Sequence, residues 1–154
     1  MTAKPHSKFV YVTFIRTTPE TLWQALISPE FTRQYWMDMH QQSDWKPGSP
    51  WKLLFPDGRV ADAGKVVEID PPRRLVLDWQ NQFRPELKPE GVSRCVMTLE
   101  PAGEVVKLTI THGIDCADSK FIEAVSGGWP MILSNLKSLL ETGKVAFTER
   151  PVVS

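Results

Sequence analysis

The apolar positions change period twice along the chain. Phe9 to Arg16 (FVYVTFIR) alternates aromatic and β-branched side chains, the mark of a strand. Leu22, Trp23, Leu26 and Ile27 then recur at helical spacing. Thr18 is placed to cap that helix, Pro19 suits its first position, and Ser28-Pro29 ends it. Pro29-Glu30-Phe31 opens a second short helix that runs to Tyr35 or Trp36. Beyond it the period returns to two. Strands are expected over Trp51–Phe55, Val60–Ile69, Leu75–Gln80, Val92–Glu100 and Val105–His112. The turns between them are Pro56-Asp57-Gly58, Asp70-Pro71-Pro72-Arg73 and Pro101-Ala102-Gly103, and Phe83–Glu90, with its two prolines, reads as a loop.

The last element is the longest. SKFIEAVSGGWPMILSNLKSLLETG carries an apolar stripe of Phe121, Val125, Trp129, Ile132, Leu133, Leu136, Leu139 and Leu140. Gly127, Gly128 and Pro130 sit inside it, at a propensity penalty of about 1 kcal/mol for each glycine and about 3 for the proline. Burial at roughly 1.5–3 kcal/mol per stripe residue outweighs that. A kink is expected near Ser126–Trp129, with the glycines admitting another backbone. Either these residues relieve a clash in a filled core, or the bend opens a gap beneath the helix. Strands segregated from helices indicate an α+β architecture in which this helix covers one face of a curved antiparallel sheet of six to seven strands.

Composition adds exclusions. The formal net charge is zero across 154 residues, without the basic excess of a nucleic-acid binder. Acidic and basic residues are interspersed, which does not favour a membrane-surface partner, and no apolar run approaches a bilayer span. MTAKPHSK lacks the apolar segment of a signal peptide, and Cys95 and Cys116 suggest no disulfide framework, so a cytoplasmic protein is expected. Clustered metal ligands, a G-x-S-x-G elbow and a phosphate loop are all missing, so neither metal nor cofactor is expected. Six tryptophans and seven phenylalanines beside two tyrosines mark an unusual aromatic load.

The order of elements, with GKVVEIDPPRRLVLDW (Gly64–Trp79), THG (Thr111–Gly113) and GGWPMILSNLKSLLETG (Gly127–Gly143), resembles the START-like or SRPBCC superfamily. Within it, the chain is most similar to the C-terminal domain of the heat-shock-protein-90 ATPase activator. The resemblance implies a helix-grip fold: two short helices after the first strand, and a sheet wrapped around a long C-terminal helix. It implies one START-like domain over 1–154, with its core at about 8–144 and flexible termini. It also implies a cavity between sheet and helix, used across the superfamily for lipids, polyketides and other apolar ligands.

Strand parity supplies the candidate lining. Trp51, Leu53 and Phe55 share a face, as do Leu75, Leu77 and Trp79; Cys95, Met97 and Leu99; and Val106, Leu108, Ile110 and His112. The residues assigned to ligand contact are Trp51, Leu53, Phe55, Leu77, Trp79, Met97, Leu108, Ile110 and His112 from the sheet. Phe121, Val125 and Trp129 join them from the helix, with Trp36 and Met37 at the mouth. His112 is the one candidate for catalysis, as general base or as a partner for a ligand carbonyl. Its alternative is a half-exposed strand end, hydrogen-bonded to a loop. The leading expectation is a protein that binds a small hydrophobic molecule. The alternatives are a cyclase or hydrolase using His112, and a domain that modulates a chaperone ATPase.

Overall fold

The computed structural model describes residues 6–153. Strand β1 (Ser7–Ile15) leads into helices α1 (Pro19–Ile27) and α2 (Pro29–Tyr35). Then come β2 (His40–Ser43), β3 (Pro50–Leu54), β4 (Val60–Asp70), β5 (Arg74–Asn81), β6 (Ser93–Ala102), β7 (Val105–Ile114) and α3 (Lys120–Thr142). The seven strands form one antiparallel sheet in the order β1-β7-β6-β5-β4-β3-β2. This is the α+β helix-grip arrangement. Among the described residues no helix is long and apolar enough to cross a membrane.

The local signals act as their chemistry requires. Thr18 Oγ1 accepts the Thr21 amide at 3.2 Å at the start of α1, with Pro19 at the first helical position. The Asp70–Arg73 turn closes through the Arg73 amide and the Asp70 carbonyl at 2.7 Å. Gly64 is demanded by close approach, since a Cβ there would stand 1.7 Å from the Asp78 carbonyl oxygen on β5. The inward sets on β3, β5, β6 and β7 pack as alternation expects: Trp51, Leu75, Leu77, Cys95, Leu108 and Ile110 are fully buried.

One strand lies where no element was expected, and two expectations are corrected. HQQS, without apolar periodicity, forms the edge strand β2, paired residue by residue with β3 from His40↔Leu54 to Ser43↔Trp51. Gln41 anchors it, donating to the Leu26 carbonyl at 2.6 Å and accepting the Trp51 indole N–H at 2.9 Å. The chain past residue 144 also packs on the core. Buried Asn135 accepts the amides of Ala146 and Phe147 at 2.9 and 3.0 Å and donates to the Phe147 carbonyl at 2.8 Å. Finally, no backbone approaches the helix glycines: nothing lies within 4 Å of a Cβ built on Gly127 or Gly128.

Helix α3 runs unbroken from Lys120 to Thr142 with Pro130 inside it. Phe121, Ile122, Trp129, Ile132, Leu133 and Leu136 are its buried stripe, and their burial carries the helix through its poor formers. Both ends are fastened. Ser119 Oγ accepts the Ile122 amide at 3.0 Å and hydrogen-bonds to the Glu90 carboxylate, which also takes the amides of Lys120 and Phe121 at 2.9 and 3.3 Å. A carboxylate there also meets the positive end of the helix dipole. At the other end Lys137 donates to the Phe14 carbonyl and to Glu141, which accepts the Arg16 amide at 2.8 Å. Gly143 then closes the helix at a left-handed φ of 82°.

Candidate functional site

Between the first half of α3 and the β3–β4–β5 side of the sheet lies a cavity of about 200 Å³. Its α3 wall is Phe121, Ala124, Val125, Gly128, Trp129 and Ile132. Gly128 lacks a side chain where the space begins, so its place in the helix is met by a void rather than by a neighbouring strand. Leu53, Trp79, Trp36, Met39 and Leu87 complete the apolar wall, and Phe55 and Phe83 form a lip with ring centroids 5.1 Å apart at 86°.

The floor is an aromatic cluster. Trp79 stands 4.4 Å from Trp51, 6.2 Å from Trp36 and 5.7 Å from Trp129, centroid to centroid, and Trp36 and Trp129 are 5.5 Å apart. His112 lies behind it, 5.2 Å from both Trp79 and Phe121. It is fully buried and not half exposed, because Cys95 and Phe9 flank it in the sheet and α3 covers it. The Trp129 indole donates to its Nδ1 at 3.2 Å, and its Nε2 meets Ser93 Oγ at 2.8 Å. An indole N–H can only donate, so Nδ1 accepts and Nε2 carries the proton. Ser93 in turn donates to the Trp79 carbonyl at 2.6 Å. Burial pushes the His112 pKa down to about 3. Neutral and bonded at both nitrogens, this imidazole has neither a free lone pair nor a proton to offer, and it stands outside the cavity wall.

The titratable group that does line the cavity is Asp62 on β4. The β3–β4 register slips between Leu53 and Leu54, leaving Ala61 as an extra residue, so Ala61 and Asp62 are both buried in succession. Asp62 is 6% exposed, and its Oδ1 accepts Asn81 Nδ2 at 3.1 Å. Burial pushes its pKa up to about 6, against the opposing pull of the Trp79 and Asn81 N–H groups. The Trp79 indole N–H faces this carboxylate without reaching hydrogen-bond geometry and has no other partner. Asn81 is spent locally, its Oδ1 accepting the Arg84 amide at 2.9 Å. Arg84 and Arg150 also line the wall, and the Arg84 guanidinium is paired with Glu86 at 2.8 Å.

Of the residues assigned from sequence, Trp36, Leu53, Phe55, Trp79, Phe121, Val125 and Trp129 line this cavity. Trp51, Leu77, Met97, Leu108, Ile110 and His112 are buried in the core around it. Met37, at a left-handed φ of 49°, lines a separate groove with Leu139 and Val145. Asp62 and Asn81 were missed. Asn81 shares the inward parity of Leu75, Leu77 and Trp79 and lies one residue past the expected strand end, a signal that was available. Among the described residues no group of three His, Cys, Asp or Glu is placed to hold a metal ion.

The family model described as activator of Hsp90 ATPase homolog 1-like protein matches residues 16–141. No curated protein matches the chain at a significant level. Solved structures with the same fold include CalU16 from Micromonospora echinospora, at 18% identity and TM-score 0.71, covering 88% of this chain and 77% of that one. The Aha1 dimer from Colwellia psychrerythraea aligns at 22% identity and TM-score 0.72, covering 90% and 98%. An Hsp90 activator from Plasmodium falciparum aligns at 20% identity and TM-score 0.70, covering 86% and 95%.

Proposed function

This chain belongs to the activator of Hsp90 ATPase homolog 1-like protein family, and we propose that within it the protein binds an apolar, aromatic small molecule between the sheet and α3. The observation that carries the reading is the cavity itself. Its volume of about 200 Å³ exceeds the ~150 Å³ of an apolar cavity known to take up benzene. Its walls are rings and aliphatic groups with one polar pole, the usual composition of a small-molecule site. The setting is cytoplasmic, where the two free thiols stay reduced. The acid–base role for His112 is not part of this proposal, because both of its ring nitrogens are already engaged.

A second reading has its own support. Val10, Val12 and Phe14 on β1 are 50%, 44% and 49% exposed, an apolar stripe that suits a protein partner, and one structural relative is an Hsp90 activator. A titration with naphthalene, followed by amide and indole NMR shifts, separates the two. Shifts centred on Leu53, Phe121, Val125 and the Trp129 indole are expected. A silent cavity, with shifts on Val10–Phe14 when a chaperone ATPase is added, would replace the first reading with the second.

A further inference from the structure

A void walled by rings alone would accept any apolar guest of the right size. Asp62 makes this one selective. A carboxylate 6% exposed, with one well-formed hydrogen bond, no cation paired to it and the Trp79 indole N–H turned towards it short of bonding geometry, keeps room to accept from a guest. The charged groups around it are few. β3, β5 and α3 present only uncharged residues to the cavity, and the cations on its wall are Arg84, already paired with Glu86, and Arg150 from the C-terminal segment.

Resting on the reading of the cavity as a ligand site, we propose that Asp62 recognises a hydroxyl group, so that the guest is a phenol or polycyclic alcohol whose O–H donates to the carboxylate while its rings lie against Phe55, Val125 and Trp129. A carboxylate guest is repelled by Asp62 itself. An ammonium guest is disfavoured twice. Arg84 and Arg150 share the wall, and Trp36, Trp79 and Trp129 pack ring on ring at 5.5–6.2 Å instead of presenting open faces around a central space. A neutral donor on an aromatic frame meets neither obstacle. Because Asp62 titrates near pH 6, its strength as an acceptor falls as the medium is acidified through that value.

The test compares 2-naphthol, naphthalene and benzyltrimethylammonium by NMR titration at pH 7.5 and pH 5. It uses the full chain and its Asp62→Asn variant, with the variant's fold checked by its amide spectrum. Burying an unpartnered hydroxyl is unfavourable, so without Asp62 naphthol binds no better than naphthalene. With a charged acceptor, naphthol is expected to bind about tenfold tighter at pH 7.5. That advantage shrinks to about threefold or less at pH 5, and in Asp62→Asn at both pH values. Naphthalene binding equal to or tighter than naphthol in the unsubstituted protein overturns the hydroxyl assignment and leaves the cavity reading standing, as does tighter binding of benzyltrimethylammonium. Failure of every probe overturns both. The pH arm needs no variant, so an Asp62→Asn protein that does not fold leaves the proposal exposed to refutation.

Discussion

Replacing Asp62 by Asn removes a charge that the folded chain holds at a disadvantage, and the gain can be worked out. The carboxyl moves from 3.8 to about 6 on folding, with burial as the leading cause. Two units at about 1.36 kcal/mol each make roughly 3 kcal/mol. The folded pKa is the higher one, so the folded state holds the proton more tightly than the unfolded chain does. The penalty is therefore absent below pH 3.8, grows between 3.8 and about 6, and is complete above that. Asp62→Asn should stabilise the protein by roughly 3 kcal/mol at pH 8 and by little at pH 4. At about 2–4 °C per kcal/mol this is a rise in Tm of roughly 6–12 °C. Urea denaturation of both proteins at half-unit steps from pH 4 to 8 measures it. His112 titrates with the opposite sign: its folded pKa is depressed, so its contribution is present above about 6.5 and is lost toward 3. It is common to both proteins and cancels in their difference. A difference that stays flat across this range, or favours Asp62 above pH 6, would refute the account of a buried, unpaired carboxylate.

His112→Ala leaves the Trp129 indole N–H and the Ser93 hydroxyl without their shared partner and opens a void in the core. A loss of about 3–5 kcal/mol in urea denaturation is expected, and one under 1 kcal/mol would show that the chain of hydrogen bonds matters little. Gly127 is exposed and Gly128 faces the cavity, so the two should respond differently. Gly127→Ala should raise stability by up to about 1 kcal/mol and leave naphthalene binding unchanged, whereas Gly128→Leu should abolish that binding in the same NMR titration. Gly64→Ala should destabilise strongly, by a lowered Tm, because its Cβ would strike backbone that cannot swing aside.

The architecture was readable because its evidence is periodic. Inward residues at every second position named six of the seven strands to within a few residues, and the stripe on α3 survived two glycines and a proline. What escaped was held by pairing instead of by pattern. β2 is HQQS, with no apolar residue to mark it, and it exists through its ladder with β3 and through the two hydrogen bonds of Gln41. The segment after Gly143 carries no period either and is fastened by the side chains of Asn135, Ser138 and Thr142. The site was half legible for the same reason. Its apolar wall follows strand and helix parity. Asp62 was hidden by the extra residue at Ala61, which sets two successive positions inward and breaks the alternation that would have exposed a buried acid.

The polar groups within the fold divide by whether the chain itself satisfies them. Gln41 and Asn135 each have both ends of the amide engaged, and His112 has both nitrogens engaged. Each ties elements together: β2 to α1, α3 to the C-terminal segment, α3 to β6 and β7. Asp62 ties only β4 to β5, a pair already joined by its ladder, through a single bond that an asparagine could replace. A residue kept for packing would not be ionised at a loss of roughly 3 kcal/mol in an apolar wall. Stability and ligand choice therefore pull in opposite directions at this position, and the same substitution reads both. If Asp62→Asn stabilises the fold above pH 6 yet erases the preference for 2-naphthol, the carboxylate is retained for its guest. If it stabilises the fold and the preference survives, recognition of the hydroxyl belongs to some other group.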